Sequence, residues 1–236
     1  MTPEVSVATH QRAGVNATTA GGDVMAGATA TGGDVMAGGA SPAPTVGAGL
    51  APPARNSTVT LSVVVVSYNR RDLLARCLDA VLADPDAPDF ELFVVDNASH
   101  DGSAEMVRQQ YPGVRLIANR ENVGFGKANN QAFAQATGRY LLMLNPDTVA
   151  RPGALRALVE YAEAHPAVGA VGGRLEYEDG TFQHSAFRFP DWKQAFFGFF
   201  DGFVPLDSAV NGRYAPAQYE QPFPAEHLLG ACLPPF

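Results

Sequence analysis

The chain has 236 residues, 46% of them hydrophobic and 17% charged, and a formal net charge of -8. That is enough apolar material for one sizeable core. The acidic balance argues against bulk nucleic-acid binding, which needs a basic footprint.

The two cysteines, Cys77 and Cys232, form neither a metal-ligand spacing nor a disulfide framework. Such usage points to a reducing, cytoplasmic setting. No apolar run is long enough to span a bilayer. The N-terminus also lacks the basic start and continuous apolar stretch of a signal peptide.

Residues 1–57 are a different material from the rest. They are rich in Gly, Ala, Thr and Pro, hold no aromatic residue, and repeat "GGDVMAG" at 21–27 and 32–38. Such a composition cannot bury enough surface to offset chain entropy, so a disordered low-complexity tail is expected. "SPAP" and "APP" read as linker. A folded domain is expected over 58–236.

From Val59 the pattern changes. "VTLSVVVVSYN" reads as a buried strand at 60–66. Leu74, Cys77, Leu78 and Val81 then fall at helical spacing, with Asn69 or Asp72 as N-cap. "FELFVVDN" is a second strand, "DGSAEMVRQQY" a short helix, and "VRLIAN" a third strand. "FGKANNQAFAQA" is helical, "GRYLLMLN" a fourth strand, and "RPGALRALVEYAEAH" a helix with Pro152 near its first turn. Four strand–helix alternations predict an α/β fold, with a mostly parallel central sheet and helices on both faces.

Such sheets bind ligands at the carboxyl ends of their strands. Polar residues gather there: "SYN" after the first strand, "DNAS" after the second, "NRENVGFG" after the third and "NPD" after the fourth. Singly, Asn-Pro-Asp is good turn chemistry and Asp-Asn-Ala-Ser good helix-entry chemistry. Four polar tips on one rim argue for a site. No Walker A sequence is present. "GFGKAN" starts like a dinucleotide fingerprint, but Asn129 stands at its third glycine position and it follows the third strand, not the first. Carboxylates and amides suit base, ribose and metal contacts. Nearby basic residues are few (Arg70, Arg71, Arg120 and Lys127), so a cation would carry most of the phosphate charge.

The segments "LSVVVVSYNRRDLLARCLDAVL", "FELFVVDNASHDGSAEMV", "NRENVGFGKANNQAF" and "GRYLLMLNPDT" resemble, in order, a family 2 glycosyltransferase of the GT-A fold. The similarity is to the rhamnosyltransferase-like branch, which often carries Asn-Pro-Asp where others have Asp-x-Asp. "DGTFQHSAFRFP" and "HLLGAC" extend it, so that it covers residues 60 to about 232. The resemblance implies an inverting transferase of cell wall polysaccharide biosynthesis. It would move a sugar, rhamnose from dTDP-rhamnose or the sugar of a UDP-sugar, to a glycan or polyprenyl-linked acceptor.

On that resemblance Ser67, Tyr68 and Asn69 line the nucleotide pocket, and Asp96 accepts from the ring N–H of the base. Asn97 caps the next helix. Asn122, Gly124 and Asn129 flank nucleotide and sugar, Gly124 allowing close backbone approach. Lys127 neutralises phosphate or faces solvent. Asp147 holds Mg²⁺ or Mn²⁺ against the donor diphosphate, with Asn145 as a neutral neighbour. Gln183, Arg188 and Phe189 resemble the substrate-side segment, with Arg188 on a phosphate or a surface acid. His184 is read as polar surface rather than as a ligand. The aromatic run 192–205 is read as core. Its functional alternative is an apolar face for a lipid-linked acceptor or the inner membrane surface.

A general base must take the acceptor hydroxyl's proton. The resemblance places it after Gly230-Ala231-Cys232, near an acidic "ED" pair, whereas here only Leu-Pro-Pro-Phe follows. The domain is therefore expected to be incomplete at its C-terminus, with its catalytic residue unassigned. Glu226, the nearest acid in sequence, precedes the motif. Two other readings remain: a non-catalytic nucleotide-sugar binder, and a nucleotidyltransferase. The latter would need a Gly-rich basic loop after the first strand, and "SYNRRD" lacks glycine.

Overall fold

A computed structural model of the chain describes residues 58–189 and 212–229, together with short strands at 6–9, 24–27 and 232–233. The four expected strands are β3 (Leu61–Ser67), β4 (Phe90–Asp96), β5 (Arg115–Ala118) and β6 (Tyr140–Leu144). They alternate with α1 (Arg71–Leu82), α2 (Ser103–Gln110), α3 (Phe125–Phe133) and α4 (Ala154–Ala164). Further strands complete the described set: β1 (Ser6–Thr9), β2 (Val24–Gly27), β7 (Thr148–Ala150), β8 (Ala170–Glu176), β9 (Phe182–Gln183), β10 (Ala186–Phe187), β11 (His227–Leu228) and β12 (Cys232–Leu233).

The main sheet runs β5-β4-β3-β6-β12-β8-β1-β7, with β2 and β9 also paired to β8. The first four strands are parallel, Ser67 standing opposite Asp96 and Asp96 opposite Ala118. This is the α/β arrangement that the sequence suggested, a mostly parallel sheet with helices on both faces. β12 pairs antiparallel with both β6 and β8, so those two strands point the same way. The end of β8 therefore reaches the same rim as the ends of β3 to β6.

Alternation along the strands builds two cores. Leu61, Val63, Val65, Leu92 and Val94 pack with α1, α2 and α4, through Leu74, Leu78, Met106, Leu155 and Leu158. Val64, Val66, Phe93, Val95 and Leu141 face the other side and pack on Ala128 and Ala132 of α3. All seven residues of β3 are buried, because a central parallel strand is covered on both faces. Each such Val or Leu side chain contributes roughly 1.5–3 kcal/mol relative to exposure. A smaller cluster of Ala186, Tyr214, Tyr219 and Ala225 joins β10 and β11 to the 3-10 helix Pro216–Glu220.

Two boundaries differ from expectation. α4 starts at Ala154, beyond Pro152, because Gly153 has φ 79, a left-handed conformation outside the helix. The Gly153 N–H donates to both carboxylate oxygens of Asp84, at 2.9 and 3.1 Å. In the N-terminal region, β1 pairs with β7 and β8, and β2 pairs with β8. The rest of the tail expected to be disordered, and the aromatic run 192–205, lie outside the described residues.

Away from the rim, Glu91 ties three segments together. It accepts from Ser62 Oγ (2.7 Å), Thr137 Oγ1 (2.9 Å), and the backbone N–H groups of Thr137 and Gly138. Arg115 Nη1 lies 3.1 Å from its second oxygen. Burial opposes ionisation of Glu91, but these hydrogen bonds and Arg115 outweigh it and hold the carboxyl below its ordinary value. Gly138 leaves room for the clamp: a Cβ there would lie 2.5 Å from the Ser62 nitrogen.

Glu91→Gln is expected to lower unfolding stability by about 1–3 kcal/mol at neutral pH, since it removes a charged acceptor from several donors. A depressed folded pKa contributes stability that is present above the unfolded value and lost as pH falls through the folded one. Urea unfolding from pH 7 down to pH 3 should therefore show the gap between wild type and variant closing in acid. A gap that stays constant would remove the ionised carboxylate from the account.

Candidate functional site

Three strand tips and a turn make the rim. Ser67 ends β3 and Asp96 ends β4, side by side in register and only 1% and 2% exposed. Asp96 Oδ2 accepts the Ser99 N–H at 3.0 Å. Its Oδ1 and the Ser67 hydroxyl are both buried without a hydrogen-bond partner. Unsatisfied buried polar groups are rare because each forfeits the hydration it had in water. Two of them adjacent on a binding rim form a carboxylate acceptor beside a hydroxyl that can give or take.

Loops 68–71 and 97–103 are laced to each other. Asn69 has φ 50 and Ala98 φ 65, both left-handed. The Asn69 N–H donates to Ser99 Oγ (2.9 Å), and Asn69 Oδ1 accepts the His100 N–H (2.8 Å). Asn69 is thus a loop fastener, which its αL tolerance permits. Neither Asn69 nor Asp72 caps α1: the N-cap is Arg70, without a side-chain cap bond. Instead Asp101 Oδ2, from the other loop, accepts the Arg71 N–H at 2.9 Å, while its Oδ1 accepts the Ser103 N–H at 3.0 Å. One carboxylate serves the starts of two helices. Burial opposes its ionisation, but the bonds from Ser103 and Arg71 prevail and its pKa is lowered. Tyr68 stands 46% exposed beside this lacing.

The third loop follows β5. Asn122 and Gly124 are exposed there, and Gly124 (φ 85) is the N-cap of α3. Lys127 faces solvent in the first turn of α3. Asn129, 3% exposed, donates from Nδ2 to the Phe125 carbonyl at 2.9 Å, while its Oδ1 is buried without a partner. Asn97 does not cap α2, whose N-cap is Gly102. Its side chain instead reaches across to this third loop.

The Asn-Pro-Asp segment is both turn and tip. The Asn145 carbonyl accepts the Thr148 N–H at 3.0 Å, closing a four-residue turn with Pro146 at its second position. Asp147 sits half-buried at the third. Beneath the turn the Cys77 thiol lies 3.6 Å from the same carbonyl. Burial, and then the Asp147 charge, push that thiol up to about 12, so it stays protonated.

Asp147 fits a hard cation as a single carboxylate ligand. Among the described residues no group of three His, Cys, Asp or Glu side chains could hold a metal ion without outside ligands. Mg²⁺ in particular uses one or two carboxylates and takes phosphate oxygens and water for the rest.

Other acids and substrate-side residues find different partners. Glu176, at the rim end of β8 and 2% exposed, meets Arg151 at 3.1 Å and Arg174 at 3.5 Å. Sequence reasoning missed it, because nothing local marks a strand-end glutamate as buried. Glu226 accepts the Phe189 N–H at 2.7 Å. Arg188 lies over the Tyr214 ring, 5.0 Å from its centroid, instead of on an acid. Gln183 is buried in β9, and Phe189 is 60% exposed. His184 is half-buried among rings, 4.8 Å from Phe182 and 6.0 Å from Tyr219, so the polar-surface reading gives way to aromatic packing.

Residues 62–211 match the family model described as glycosyl transferase family 2. An N-acetylglucosaminyl-diphospho-decaprenol L-rhamnosyltransferase of Mycobacterium tuberculosis (strain H37Rv) is 31% identical over 144 residues, 56% of this chain and 47% of the relative. The succinoglycan biosynthesis protein ExoO of Rhizobium meliloti is 37% identical over 112 residues, 47% of this chain and 32% of the relative. The chain thus spans less than half the length of either. The crystal structure of S. aureus TarS 1-349 in complex with UDP-GlcNAc aligns at 27% identity and a TM-score of 0.42, covering 46% of this chain and 32% of that one.

Asp101→Ala should lower stability by about 1 kcal/mol, in the range for a lost helix cap. Hydrogen exchange should accelerate at the first amides of α1 and α2 together. Faster exchange at α2 alone would separate the two helix starts.

Proposed function

The chain belongs to glycosyl transferase family 2, and on that premise we propose that its rim binds the nucleotide of an activated sugar as the donor half of a glycosyltransferase. The observation that carries this is the Ser67–Asp96 pair. Two buried polar groups in register, each with an unpartnered oxygen, suit the edge of a pyrimidine base. Asp96 Oδ1 accepts the ring N–H, and the Ser67 hydroxyl meets a flanking carbonyl. Tyr68 and Asn69 close that side. Asn122, Gly124 and Asn129 border the ribose and sugar.

Asp147 holds the divalent cation, Mg²⁺ or Mn²⁺, with Asn145 beside it. When bound, that cation offsets negative charge on the leaving diphosphate. The exposed Arg70, Arg71, Arg120 and Lys127 add a diffuse positive rim. Transfer with inversion requires an acceptor oxygen in line behind the anomeric carbon and a carboxylate to take its proton. Neither described candidate is suited: Glu176 is held by two arginines and Glu226 is bonded to the Phe189 backbone.

The Mycobacterium relative's name supports rhamnose as the sugar and a polyprenyl-diphosphate-linked glycan as the acceptor. No helix among the described residues is long and apolar enough to cross a membrane. A lipid-linked acceptor would be met at the inner membrane surface by peripheral association. Residues 1–57 are assigned no part in donor binding.

Calorimetry with UDP and dTDP in Mg²⁺, Mn²⁺ or EDTA is the test. Binding should need the cation, and Asp147→Asn should abolish most of the metal-dependent increment. Equal affinity in EDTA would sink the metal role.

Asp96→Asn keeps an oxygen for the Ser99 N–H but turns the inward acceptor into a donor. It should weaken UDP and dTDP alike by ~1–3 kcal/mol and leave ribose 5-phosphate unaffected. An equal loss for ribose 5-phosphate would make Asp96 a residue that shapes the pocket.

A further inference from the structure

Asn97 is 3% exposed and follows Asp96 directly, yet its side chain bonds only to residues more than twenty positions away. Its Oδ1 accepts from Asn119 Nδ2 (3.2 Å) and from the Val123 N–H (3.0 Å). Its Nδ2 donates to Asn122 Oδ1 at 2.7 Å. Asn122 Oδ1 also accepts the Gly124 N–H at 3.0 Å. Asn119 is locked in turn to Gln131 of α3 by two bonds of 3.0 Å, one in each direction. The network joins the tip of β4, the loop after β5 and the last turn of α3.

These bonds fix the direction of one amide. Two N–H groups converge on Asn122 Oδ1, and reversing the amide would set its own N–H2 against both. The oxygen of Asn122 is consumed inside the loop, so the N–H2 is the half left for a ligand. An N–H2 group recognises oxygen acceptors: phosphate, ribose hydroxyl or sugar hydroxyl.

We propose that Asn97 is a positioning residue, which holds loop 119–124 and turns Asn122 so that its N–H2 meets the oxygen-rich part of the nucleotide sugar. The inference rests on the donor-binding reading above and adds how the loop is set. Asn97 must be both donor and acceptor here. Alanine supplies neither function, and the Val123 N–H and Asn122 Oδ1 would lose their partner together.

The test uses the full chain, with UDP and Mn²⁺ as the probe. Amide exchange is read on the ligand-free protein and affinity by calorimetry. Asn97→Ala should speed exchange at Val123 and Gly124 at least tenfold, leave the strands β3 and β4 protected, and weaken UDP about tenfold. Asn122→Asp keeps both acceptor bonds but has no N–H2, so it should weaken UDP about tenfold with loop exchange unchanged. The double variant Asn97→Ala/Asn122→Ala should bind no worse than Asn122→Ala alone, because the first residue acts through the second.

Independent, additive losses would overturn the proposal. So would an unchanged UDP affinity in Asn97→Ala with a loosened loop. If the wild-type chain binds neither UDP nor dTDP with the cation, the donor-binding reading falls and this inference falls with it; the exchange data then still report on the loop.

Discussion

The parallel pairing of β3 with β4 and β6 is the constraint on which everything else rests. Parallel strands put all their carboxyl ends on one edge, and the helices that return the chain begin at that edge. β3 is bonded on both sides and covered on both faces, so its register is fixed by two cores at once. A slip of one residue would exchange Val63 and Val65 for Val64 and Val66 across the sheet. That rigidity lets Ser67 and Asp96 sit side by side, each with a buried oxygen lacking a hydrogen-bond partner, at the ends of two strands whose preceding residues are Val63 to Val66 and Phe93 to Val95.

The rim itself is held mainly by side chains that bond to the backbone of another loop. Ser99, Asn69 and Asp101 bridge the loops after β3 and β4, and Asn97 bridges to the loop after β5. Amides and carboxylates do this well because one short side chain can satisfy two backbone groups that a sharp turn leaves without partners. The same residues then have little freedom to serve as ligands themselves. The separation is visible in the atoms: Asp96 Oδ2 is used by the loop while Oδ1 is kept, and Asn129 Nδ2 is used while Oδ1 is kept. A binding surface whose polar atoms are ordered before the ligand arrives loses less entropy on binding.

At the opposite edge, the Glu91 clamp shows the other use of buried charge. Ser62, Thr137 and Gly138 donate to one oxygen of that carboxylate and Arg115 pairs with the other, and together they lower its pKa against its burial. Glu176, on the rim, is likewise paired, with Arg151 and Arg174. Burial and position alone would have made Glu176 an attractive base. Its two arginines identify it as an ion pair that anchors the end of β8.

The local text of the sequence determined the order and type of the four strands β3 to β6 and the four helices that alternate with them. Short apolar runs such as Val63 to Val66 and Leu141 to Leu144, bounded by turn residues, read as buried strands, and the helical spacing of Leu74, Leu78 and Val81 fixes the face of α1. Alternation of strand and helix alone puts Asp96 and Asp147 on one edge. What only the tertiary structure decided were the partners. Asn97 has the local setting of a helix cap, yet its partners lie 22 to 26 positions on and come within reach only because β5 pairs beside β4. Asp101 as the cap of α1, thirty residues back, was hidden for the same reason. So was the insertion of β12 between β6 and β8, which rests on two residues of backbone pairing. Propensity and periodicity act over a few residues, whereas a hydrogen bond between loops exists only once the sheet has brought them together.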